Sequence, residues 1–392
     1  MKRKLPLLIL LAAFPPLSTD MYLAALPILQ KQYNQPFSIV NLTLVLFFVS
    51  YCLFMLVYGP CSDRFGRRPV LIMGISIYIL GSFLCSFASN IYFLILFRII
   101  QAAGGASATV LAMAICKDIY HGIQREKILA YIAVISTIAP MIGPVVGGYI
   151  MTYLSWHYVF IIQSILGCIA LVGVIRLDET IPTIVKTSIN EMLGSYIELF
   201  KNRKYMLYVI ICSITVFPFF SFIGGAADIY IVGFGVSNES FGFFFALNAV
   251  GGMIGAFACS KLVAIIGSDN ILSIGFVGAF VTGIFLFTFV NGPLIFAVIM
   301  FFFSMFIGFT RPSITNKVLS QVAKNAGVAS SFMMVTYFLF GSLGMWLISF
   351  NWSDKVQILS LFCIFAESIA IVIWFSNLFL IKAKAGVLAK KK

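Results

Sequence analysis

Charged side chains are scarce in this chain. Only 10% of its 392 residues are Asp, Glu, Lys or Arg, whereas 61% are hydrophobic. A soluble domain has about 25% charged residues, which help to cover its surface. The mean hydropathy of +1.06 indicates that too little polar surface is available for that purpose. The composition therefore excludes a soluble globular protein and favours a membrane protein.

Several kinds of chemical site are also missing from the sequence. It contains no G-x-x-x-x-G-K-[ST] loop, so the chain is not an ATP-driven pump with its own nucleotide domain. The 8 cysteines lack metal-ligand spacing, and the 2 histidines, His121 and His157, are expected at membrane interfaces. We therefore predict no catalytic site, no metal site and no cofactor.

Long apolar stretches fill the chain instead. A stretch of roughly 18 to 25 apolar residues crosses a bilayer as a helix, and about twelve such stretches occur. They cover residues 5-30, 39-61, 69-88, 91-116, 127-152, 156-177, 205-235, 239-266, 270-290, 293-316, 327-350 and 356-381. The prediction is an all-α membrane protein with twelve transmembrane helices.

Lysine and arginine indicate the orientation, because short loops rich in these residues stay in the cytoplasm. If the N-terminus is inside, the loops on the opposite face contain only Lys31 and Lys355. The inside loops then contain the other loop cations: Lys2, Arg3, Lys4, Arg64, Arg67, Arg68, Lys117, Arg125, Lys127, Lys186, Lys201, Arg203, Lys204, Lys261, Lys317, Lys324 and Lys390 to Lys392. We expect both termini in the cytoplasm.

The same distribution gives the net charge of +13 a membrane interpretation. In a soluble chain such a charge would suggest nucleic-acid binding, but here the cations face the anionic cytoplasmic leaflet. We therefore predict contact with membrane lipids and none with nucleic acid. The basic start followed by Leu5 to Phe14 is also compatible with a cleaved signal peptide. The alternation of charged loops favours a retained first helix.

The longest polar interval divides the apolar stretches into six and six. This division predicts an N-terminal bundle over 1-177, a cytoplasmic linker over 178-204 and a C-terminal bundle over 205-392. Within the linker, apolar residues recur at helical intervals after a capping-box pattern that starts at Ser188. We expect a short amphipathic helix there, on the membrane surface.

Four segments stand out against this apolar background. The connection after the second stretch reads Gly59-Pro60-Cys61-Ser62-Asp63-Arg64-Phe65-Gly66-Arg67-Arg68-Pro69, with the spacing G-x-x-x-D-R-x-G-R-R. The fourth stretch contains Arg98 and Gln101 followed by Ala102-Ala103-Gly104-Gly105-Ala106. The fifth contains Ala139-Pro140-Met141-Ile142-Gly143-Pro144-Val145-Val146-Gly147-Gly148, and the first contains Leu17-Ser18-Thr19-Asp20-Met21-Tyr22-Leu23-Ala24-Ala25-Leu26-Pro27.

These segments resemble, in order and position, motifs of the major facilitator superfamily. The charged connection is similar to its signature loop, and the fifth-stretch segment is similar to the antiporter motif of drug:proton exchangers. The first-stretch segment looks like the hallmark of the Bcr/CflA (bicyclomycin and chloramphenicol resistance) branch. The resemblance covers nearly the whole chain and is less specific in the C-terminal half. It implies two six-helix bundles and a drug:proton antiporter.

The resemblance implies a cytoplasmic gate in the signature loop. Asp63 is not needed for topology, and the resemblance implies that it forms a charge network with Arg67 and with Asp118 at the end of the fourth span. The alternative is a basic membrane anchor without a gating role. The full set of gate residues is Gly59, Asp63, Arg64, Gly66, Arg67, Arg68 and Asp118.

Ionisable residues within spans are costly and therefore mark candidate functional sites. Asp20 follows Pro15-Pro16 and is our first candidate for binding a proton or a cationic substrate group, although it could instead cap the following helix segment. Arg98 and Gln101 lie one helical turn apart on one face. They are candidates for proton or substrate coupling, and the alternative is a purely structural contact between helices. Asp228 is either a second proton site or a residue near the outer water interface.

Two further groups complete the predicted site. The antiporter motif, comprising Pro140, Gly143, Pro144, Gly147 and Gly148, predicts a kinked helix against which a partner slides, or close packing alone. Tyr22, Tyr230, Tyr337 and Glu367 are cavity candidates, although aromatic residues in spans commonly face lipid. Arg311, before Pro312, is expected towards the cytoplasmic end of its span.

The expected function is proton-coupled multidrug efflux by alternating access, in a bacterial inner membrane. The expected partners are protons, membrane lipids and small amphipathic or cationic molecules, and the chain is expected to be a monomer powered by the proton gradient. One alternative is an exporter of a specific endogenous metabolite such as a siderophore, favoured by Asp228 and Arg311. A second is a membrane sensor on the same scaffold that transports nothing.

Overall fold

The computed structural model describes residues 5–180, 189–322 and 326–389. All regular elements within these ranges are helical. The α-helices are α1 (Leu5–Asp20), α2 (Leu26–Tyr33), α3 (Phe37–Phe65), α4 (Arg67–Cys85), α5 (Ile91–Ile119), α6 (Gly122–Tyr153), α7 (Trp156–Ile175), α8 (Ile189–Lys201), α9 (Arg203–Ala227), α10 (Asn238–Phe289), α11 (Pro293–Leu319), α12 (Ala326–Ile348) and α13 (Lys355–Ala389). The terminal cations Lys2 to Lys4 and Lys390 to Lys392, and also Lys186 and Lys324, lie outside the described residues.

The protein is an all-α membrane protein with twelve transmembrane helices, as the apolar stretches predict. Helices α1 and α2 are joined by the short 3-10 turn Leu23–Ala25 and form a single crossing. Helix α10 has 52 residues and contains non-helical backbone at Gly267, so it comprises two crossings. The remaining short helix, α8, has 13 residues and lies within the predicted linker.

The crossings pack as two six-helix bundles. In the first bundle α4 packs on α5 and α7, α3 packs on α5, and α1 packs on α6. In the second bundle α10 packs on α11 and α13, and α9 packs on α12. The two bundles meet along two pairs of helices, α6 with α10 and α3 with α12.

The helix connections lie on two sides of the molecule. We call the side with Leu5 and the turns at Gly66 and Gly267 the terminal side, and the side with the turns at 34–36 and 290–292 the opposite side. Because successive crossings alternate in direction, every helix connection can be assigned to one of these two sides.

On the opposite side the bundles touch. Asn41 Nδ2 donates a hydrogen bond to the Met345 carbonyl at 2.7 Å, which joins α3 to α12. A Cβ atom on Gly148 would lie 2.3 Å from the Asn238 carbonyl oxygen, so α6 and α10 approach through backbone. On the terminal side, a Cβ on Gly59 of α3 or Gly327 of α12 would meet no heavy atom of the described residues within 4 Å.

Close backbone contact also forms the interior of the first bundle. A Cβ on Gly104 would lie 2.2 Å from the Tyr78 backbone nitrogen, and one on Gly74 would lie 2.1 Å from Ser107 Oγ. In a lipid environment helices associate chiefly through such van der Waals contact, which small residues permit. The small residues after Gln101 therefore position α5 against α4.

We predict that Gly104→Ala destabilises the protein and that Gly59→Ala does not. The new methyl at residue 104 would overlap the α4 backbone, and overpacking of this kind costs about 1–3 kcal/mol. Residue 59 is also helical but faces open space, so alanine there is expected to be neutral or to stabilise the helix by up to about 1 kcal/mol. The free energy of unfolding of the detergent-solubilised protein measures the difference. Equal behaviour of the two variants would contradict the α4–α5 contact.

Candidate functional site

Arg98 lies at the centre of the first bundle and is fully buried. Its Nη1 donates hydrogen bonds to the Ser18 carbonyl at 2.9 Å and to Gln101 Oε1 at 2.7 Å. Its Nε lies 3.4 Å from the Thr43 carbonyl. One guanidinium therefore connects α1, α3 and α5, and the contact with Gln101 follows the i, i+3 spacing on the helix.

Aromatic rings enclose the rest of the Arg98 guanidinium. Its central carbon lies 4.2 Å from the ring centroid of Phe47, 4.8 Å from that of Tyr22 and 5.7 Å from that of Phe160. No carboxylate lies within ion-pair distance of Arg98 in the part of the chain that the structure describes. Carbonyl dipoles and ring faces therefore stabilise this cation in place of a counter-ion.

Gln101 extends the polar contacts of Arg98 to two further helices. Its Nε2 donates to Ser82 Oγ of α4 at 2.8 Å and to Gln163 Oε1 of α7 at 2.7 Å. Gln163 Nε2 donates in turn to the Leu17 carbonyl at 3.1 Å. Sequence reasoning missed Gln163, although an amide within the otherwise apolar sixth stretch was a usable signal. The result is a closed hydrogen-bonded network among the helices of one bundle.

Asp20 ends α1 and is 7% exposed. Its Oδ1 accepts a hydrogen bond from Thr19 Oγ1 at 3.0 Å, and the Thr19 hydroxyl also lies 3.1 Å from the Pro15 carbonyl, a backbone group next to the prolines inside α1. Asp20 and Arg98 both lie near the end of α1, but they do not form an ion pair. The carboxylate is thus held locally and is not neutralised by the nearby cation.

The glycines of the antiporter motif pack against this end of α1. A Cβ on Gly143 would lie 3.0 Å from Asp20 Cβ, and one on Gly147 would lie 2.2 Å from the Met21 carbonyl oxygen. On the same helix, Gly148 faces Asn238 of the second bundle. Pro140 and Pro144 lie within α6. This segment therefore contacts Asp20 on one side and the other bundle on another.

The signature loop forms a charge network on the terminal side. Arg67 Nη1 lies 2.5 Å from Asp63 Oδ1, and Arg67 Nε donates to Asp118 Oδ2 at 2.9 Å. Arg67 Nη1 also donates to Ser62 Oγ at 2.6 Å. The predicted grouping of Asp63, Arg67 and Asp118 is present, and all three residues belong to the first bundle.

Glu179 is a member of this network that the sequence analysis did not identify. Its carboxylate accepts hydrogen bonds from the backbone N–H groups of Arg67 at 2.9 Å and Arg68 at 3.1 Å, and so caps α4. Gly66 has a φ of 96°, and a Cβ there would lie 2.5 Å from Glu179 Oε2. The position therefore requires glycine. An acid directly after the sixth stretch was the available signal.

Other parts of the signature loop make lesser contacts. Arg68 Nη2 donates to the Ile175 carbonyl at 2.8 Å, which joins α4 to the end of α7. Arg64 is exposed and lies over the Phe65 ring at 5.4 Å. Gly59 contributes open space rather than a contact. The basic loop is therefore both a charge network and a set of exposed cations.

Asp228 lies on the opposite side, where it begins the π-helical turn Asp228–Gly233. Its Oδ2 accepts a hydrogen bond from Lys355 Nζ at 2.6 Å. Lys355 Nζ also lies 4.1 Å from the ring centroid of Phe37, which belongs to the first bundle. These three residues line a cavity of about 740 Å³. Asp228 is thus ion-paired at a contact between the bundles.

The four cavity candidates lie in different places. Tyr22 belongs to the rings around Arg98, with its hydroxyl 2.9 Å from Thr43 Oγ1. Tyr230 is buried, and its ring stacks on that of Phe244 with 5.3 Å between the ring centroids. The ring centroid of Tyr337 lies 3.6 Å from the guanidinium carbon of Arg311. Glu367 is fully buried in α13, and neither of its carboxylate oxygens has a hydrogen-bond partner.

No group of three or more His, Cys, Asp or Glu residues suited to a metal ion occurs within the described ranges. The described side chains provide four features: the buried carboxylate of Asp20, the buried guanidinium of Arg98, the charge network around Arg67 on the terminal side and the ion pair of Asp228 with Lys355 on the opposite side. This arrangement can bind and release protons and can make or break contacts between bundles.

The chain matches the family model described as Major Facilitator Superfamily over residues 8–345. It is 30% identical over 358 residues to the uncharacterized MFS-type transporter YdgK of Bacillus subtilis (strain 168), an alignment that covers 89% of each chain. It is 26% identical to a bicyclomycin resistance protein homolog of Haemophilus influenzae, over 71% of this chain and 70% of that protein. It is also 26% identical to the multidrug resistance protein MdtL of Salmonella paratyphi B, over 88% of each.

Solved structures are similar in fold. A D-xylose-proton symporter superposes with a TM-score of 0.74 at 14% identity, over 94% of this chain and 96% of that chain. A bacterial homolog of the human lysosomal transporter Spinster, in an inward-facing and unoccupied conformation, gives a TM-score of 0.71 at 15% identity, over 95% of each. At these identities the similarity concerns the fold alone.

We predict that Arg67→Gln lowers the stability of the protein and that Arg64→Gln does not. The first substitution removes both ion pairs and leaves Asp118, whose side chain is 15% exposed, without a charged partner. Hydrogen bonds to charged groups contribute about 1.5–3 kcal/mol each. Arg64, on the same loop, is the matched control because it is exposed. Thermal unfolding of the purified variants measures the effect, and an equal loss in both would rule out a specific network at Arg67.

Proposed function

The chain belongs to the Major Facilitator Superfamily, and from that membership we propose that it is a proton-coupled exporter of small molecules. It is a multi-pass membrane transporter and not an enzyme. The proposal concerns the direction of transport, the coupling to protons and the class of substrate. No cofactor is invoked, because a proton gradient would supply the energy.

The observation that carries the proposal is the position of Asp20. A carboxylate within a span is costly, roughly 2.5–3.5 kcal/mol on insertion scales, and is therefore a candidate for proton binding. Asp20 lacks an ion-pair partner among the described residues and lies against Gly143 of α6. Arg98 retains its proton under physiological conditions, so the carboxylate is the better candidate for carrying one.

Helix α6 provides a route from Asp20 to the other bundle. A Cβ on Gly242 of α10 would lie 2.6 Å from Val145 Cα, so the two helices touch close to the residues that face Asp20. If the bundles move against each other, this contact must slide or open, and the surroundings of Asp20 change with it. Protonation that favours one arrangement would thereby be coupled to the movement.

The contacts between the bundles support alternating access. The opposite side is joined through Asn41 and Met345 and through Gly148 and Asn238, whereas on the terminal side a Cβ on Gly59 or Gly327 would meet no heavy atom of the described residues within 4 Å. We assign the terminal side to the cytoplasm, because the predicted inside loops carry most of the cations. On this assignment the arrangement is open towards the cytoplasm, and the membrane is a bacterial inner membrane.

The signature loop has a defined place in this scheme. In the present arrangement Arg67 contacts Asp63 and Asp118, which belong to its own bundle. A gate that closes the cytoplasmic side would require a contact with the second bundle in addition. We propose that the network holds the ends of α3, α4 and α5 rigid, so that they move as one body when the bundles close.

The substrate class is proposed from relatives. Proteins similar to this chain include a bicyclomycin resistance protein homolog and MdtL, a multidrug resistance protein. Small amphipathic or cationic drugs are therefore the first candidates, transported by a monomer in contact with lipid. A second candidate is a specific endogenous metabolite, which Arg311 favours because it places a cation where a cationic drug would be repelled. A third possibility, a membrane sensor on the same scaffold, would differ from both exporters because it would produce no substrate flux in proteoliposomes.

We predict that Asp20→Asn abolishes proton-coupled flux. In proteoliposomes containing the full chain, bicyclomycin added to the wild type should release protons, detected with an internal pH dye. Asn cannot exchange a proton, so the rate should fall by about a hundredfold or more, in the range that general acid–base groups contribute. Asp228→Asn tests a second carboxylate within the spans and is expected to retain coupling, because Asp228 is paired with Lys355.

The matched control is Asp354→Asn. Asp354 Oδ1 accepts hydrogen bonds from the backbone N–H groups of Val356 and Gln357 at the start of α13, and asparagine can keep this cap. Wild-type coupling in Asp20→Asn would refute the assignment to Asp20. No substrate-induced proton movement with any compound of a broad panel would refute proton-coupled export itself.

A further inference from the structure

Arg311 is a charged residue that the proposed coupling does not use. It lies in α11, is half-buried, and reaches towards α9 and α12. Among the described residues, the acceptors near its terminal nitrogens are two sulfur atoms, Cys212 Sγ at 3.7 Å and Met334 Sδ at 3.8 Å. Sulfur is a weak acceptor, and a guanidinium has five N–H donors. Most of the hydrogen-bonding capacity of Arg311 is therefore unused by oxygen atoms of the described residues.

The depth of Arg311 argues against a role as an interfacial anchor. It lies eight residues before Leu319, the last residue of α11, which corresponds to about 12 Å at 1.5 Å per residue. Its guanidinium carbon lies 3.6 Å from the ring centroid of Tyr337, eleven residues into α12. Arg311 lies in the terminal-side half of α11, but its side chain points further into the bundle and not back to the headgroups.

The acids of the second bundle leave Arg311 without a carboxylate partner. Asp269 pairs with Lys317, and Asp228 pairs with Lys355. Both oxygens of Glu367 lack hydrogen-bond partners, so Glu367 does not reach Arg311. Within the described ranges, helices α9, α11 and α12 contain no Asp or Glu. The cation therefore has no counter-ion from the elements packed around it.

Arg98 shows how this chain treats a structural cation. Arg98 is sealed from solvent, and its Nε and Nη1 reach the oxygens of Ser18, Thr43 and Gln101, while its Nη2 has no hydrogen-bond partner among the described residues. Arg311 differs in both respects, because it is partly exposed and meets sulfur instead of oxygen. A partly exposed cation at this depth favours contact with the bundle interior over contact with lipid. The contrast indicates a binding group whose partner arrives from outside the protein.

The surroundings of Arg311 specify more than charge. The Tyr337 ring beneath it packs edge-on against Phe220 at 5.5 Å and Phe338 at 5.5 Å. Phe338 in turn stacks on Phe48 of the first bundle at 5.6 Å. The cation thus borders the aromatic contact between the two bundles. A ligand held there would meet one planar donor group and several apolar ring faces.

We propose that Arg311 binds the carboxylate of the transported molecule, so that the substrate is an amphipathic organic acid. The planar guanidinium matches a carboxylate through two parallel N–H···O bonds, and the neighbouring rings accommodate the apolar part. A cationic compound of the same shape is disfavoured by the like charge. This inference rests on the proposed export function, since it names the substrate of the same transport pathway.

The test measures binding to the purified full chain, without a proton gradient. The probes are 2-naphthoate, the neutral 2-naphthamide and the cationic 2-naphthylmethylammonium, which share one ring system. In the wild type, 2-naphthoate should bind at least about tenfold more tightly than the amide, as expected for a desolvated charge pair, and the cation most weakly. Arg311→Gln should remove the preference for the acid and leave binding of the amide within about twofold.

Two variants control the measurement. Arg203→Gln removes an exposed cation at the start of α9, in the same bundle, and should keep the preference for 2-naphthoate. Arg311→Lys keeps the charge, so it tests the proposal even if Arg311→Gln does not fold. It should still prefer the acid over the amide, with weaker binding than the wild type because lysine lacks the planar fork.

The proposal is overturned if the wild type binds acid and amide equally or binds neither. It is also overturned if Arg311→Gln keeps the preference, or if Arg311→Lys loses it while remaining folded. These outcomes are separate from failure of the export function. Selective binding of 2-naphthoate without substrate-induced proton movement would refute proton coupling alone. Proton-coupled export of cations with full activity in Arg311→Gln would refute the role of Arg311 alone.

Discussion

A buried guanidinium must find its acceptors inside the protein, and the first bundle is built around this constraint. Lipid offers no hydrogen-bond acceptor in the hydrocarbon region. Arg98 therefore draws the Ser18 and Thr43 carbonyls and the Gln101 amide into one site. The Ser18 carbonyl lies close to the prolines inside α1. The irregular backbone that carries Asp20 is thus held by the same cation that stabilises the bundle.

The small residues of α6 connect the end of α1, which Arg98 holds in place, with the second bundle. Gly143 and Gly147 allow α6 to lie directly on the end of α1, and Gly148 allows it to meet the backbone at Asn238. Backbone-to-backbone contacts have no long side chains to rearrange, so such surfaces can separate and rejoin with little entropic cost. In the proposed mechanism, protonation of Asp20 and movement of the second bundle therefore act on the same surface of α6. This coupling depends on a close fit at few atoms.

Local features of the sequence predicted much of this architecture. The lengths of the apolar stretches indicated the twelve crossings, helical spacing placed Arg98 beside Gln101, and the resemblance of the signature loop implied that Asp63 lies near Arg67. Partners from distant segments were not predictable in the same way. Glu179, Gln163 and Lys355 find their partners only through packing of helices that are far apart in sequence.

For the tyrosines and Glu367, the sequence identified the residues but did not predict which neighbours they contact. An aromatic side chain in a span gains a similar hydrophobic free energy whether it faces lipid, a neighbouring helix or a cavity. Composition therefore does not determine which way the side chain points. Tyr22 faces Arg98, whereas Tyr337 faces Arg311. Glu367 has neither charge partner nor hydrogen bond in the described part of the second bundle. A pattern of residue types therefore identified costly groups, but packing determined which of them can meet a ligand.

The two intramembrane arginines illustrate why packing decides function. Each has the same chemistry and each lies over aromatic rings. The difference is the supply of oxygen acceptors: oxygens accept from Nε and Nη1 of Arg98, although its Nη2 has no hydrogen-bond partner among the described residues, whereas Arg311 meets only sulfur acceptors there. A cation whose donors are bonded within the protein helps to determine how the helices pack. A half-exposed cation with weak acceptors keeps unused hydrogen-bonding capacity, which an incoming anion can satisfy. In the proposed scheme Asp20 of the first bundle binds the proton, and the arginine of the second bundle that lacks oxygen acceptors binds the substrate.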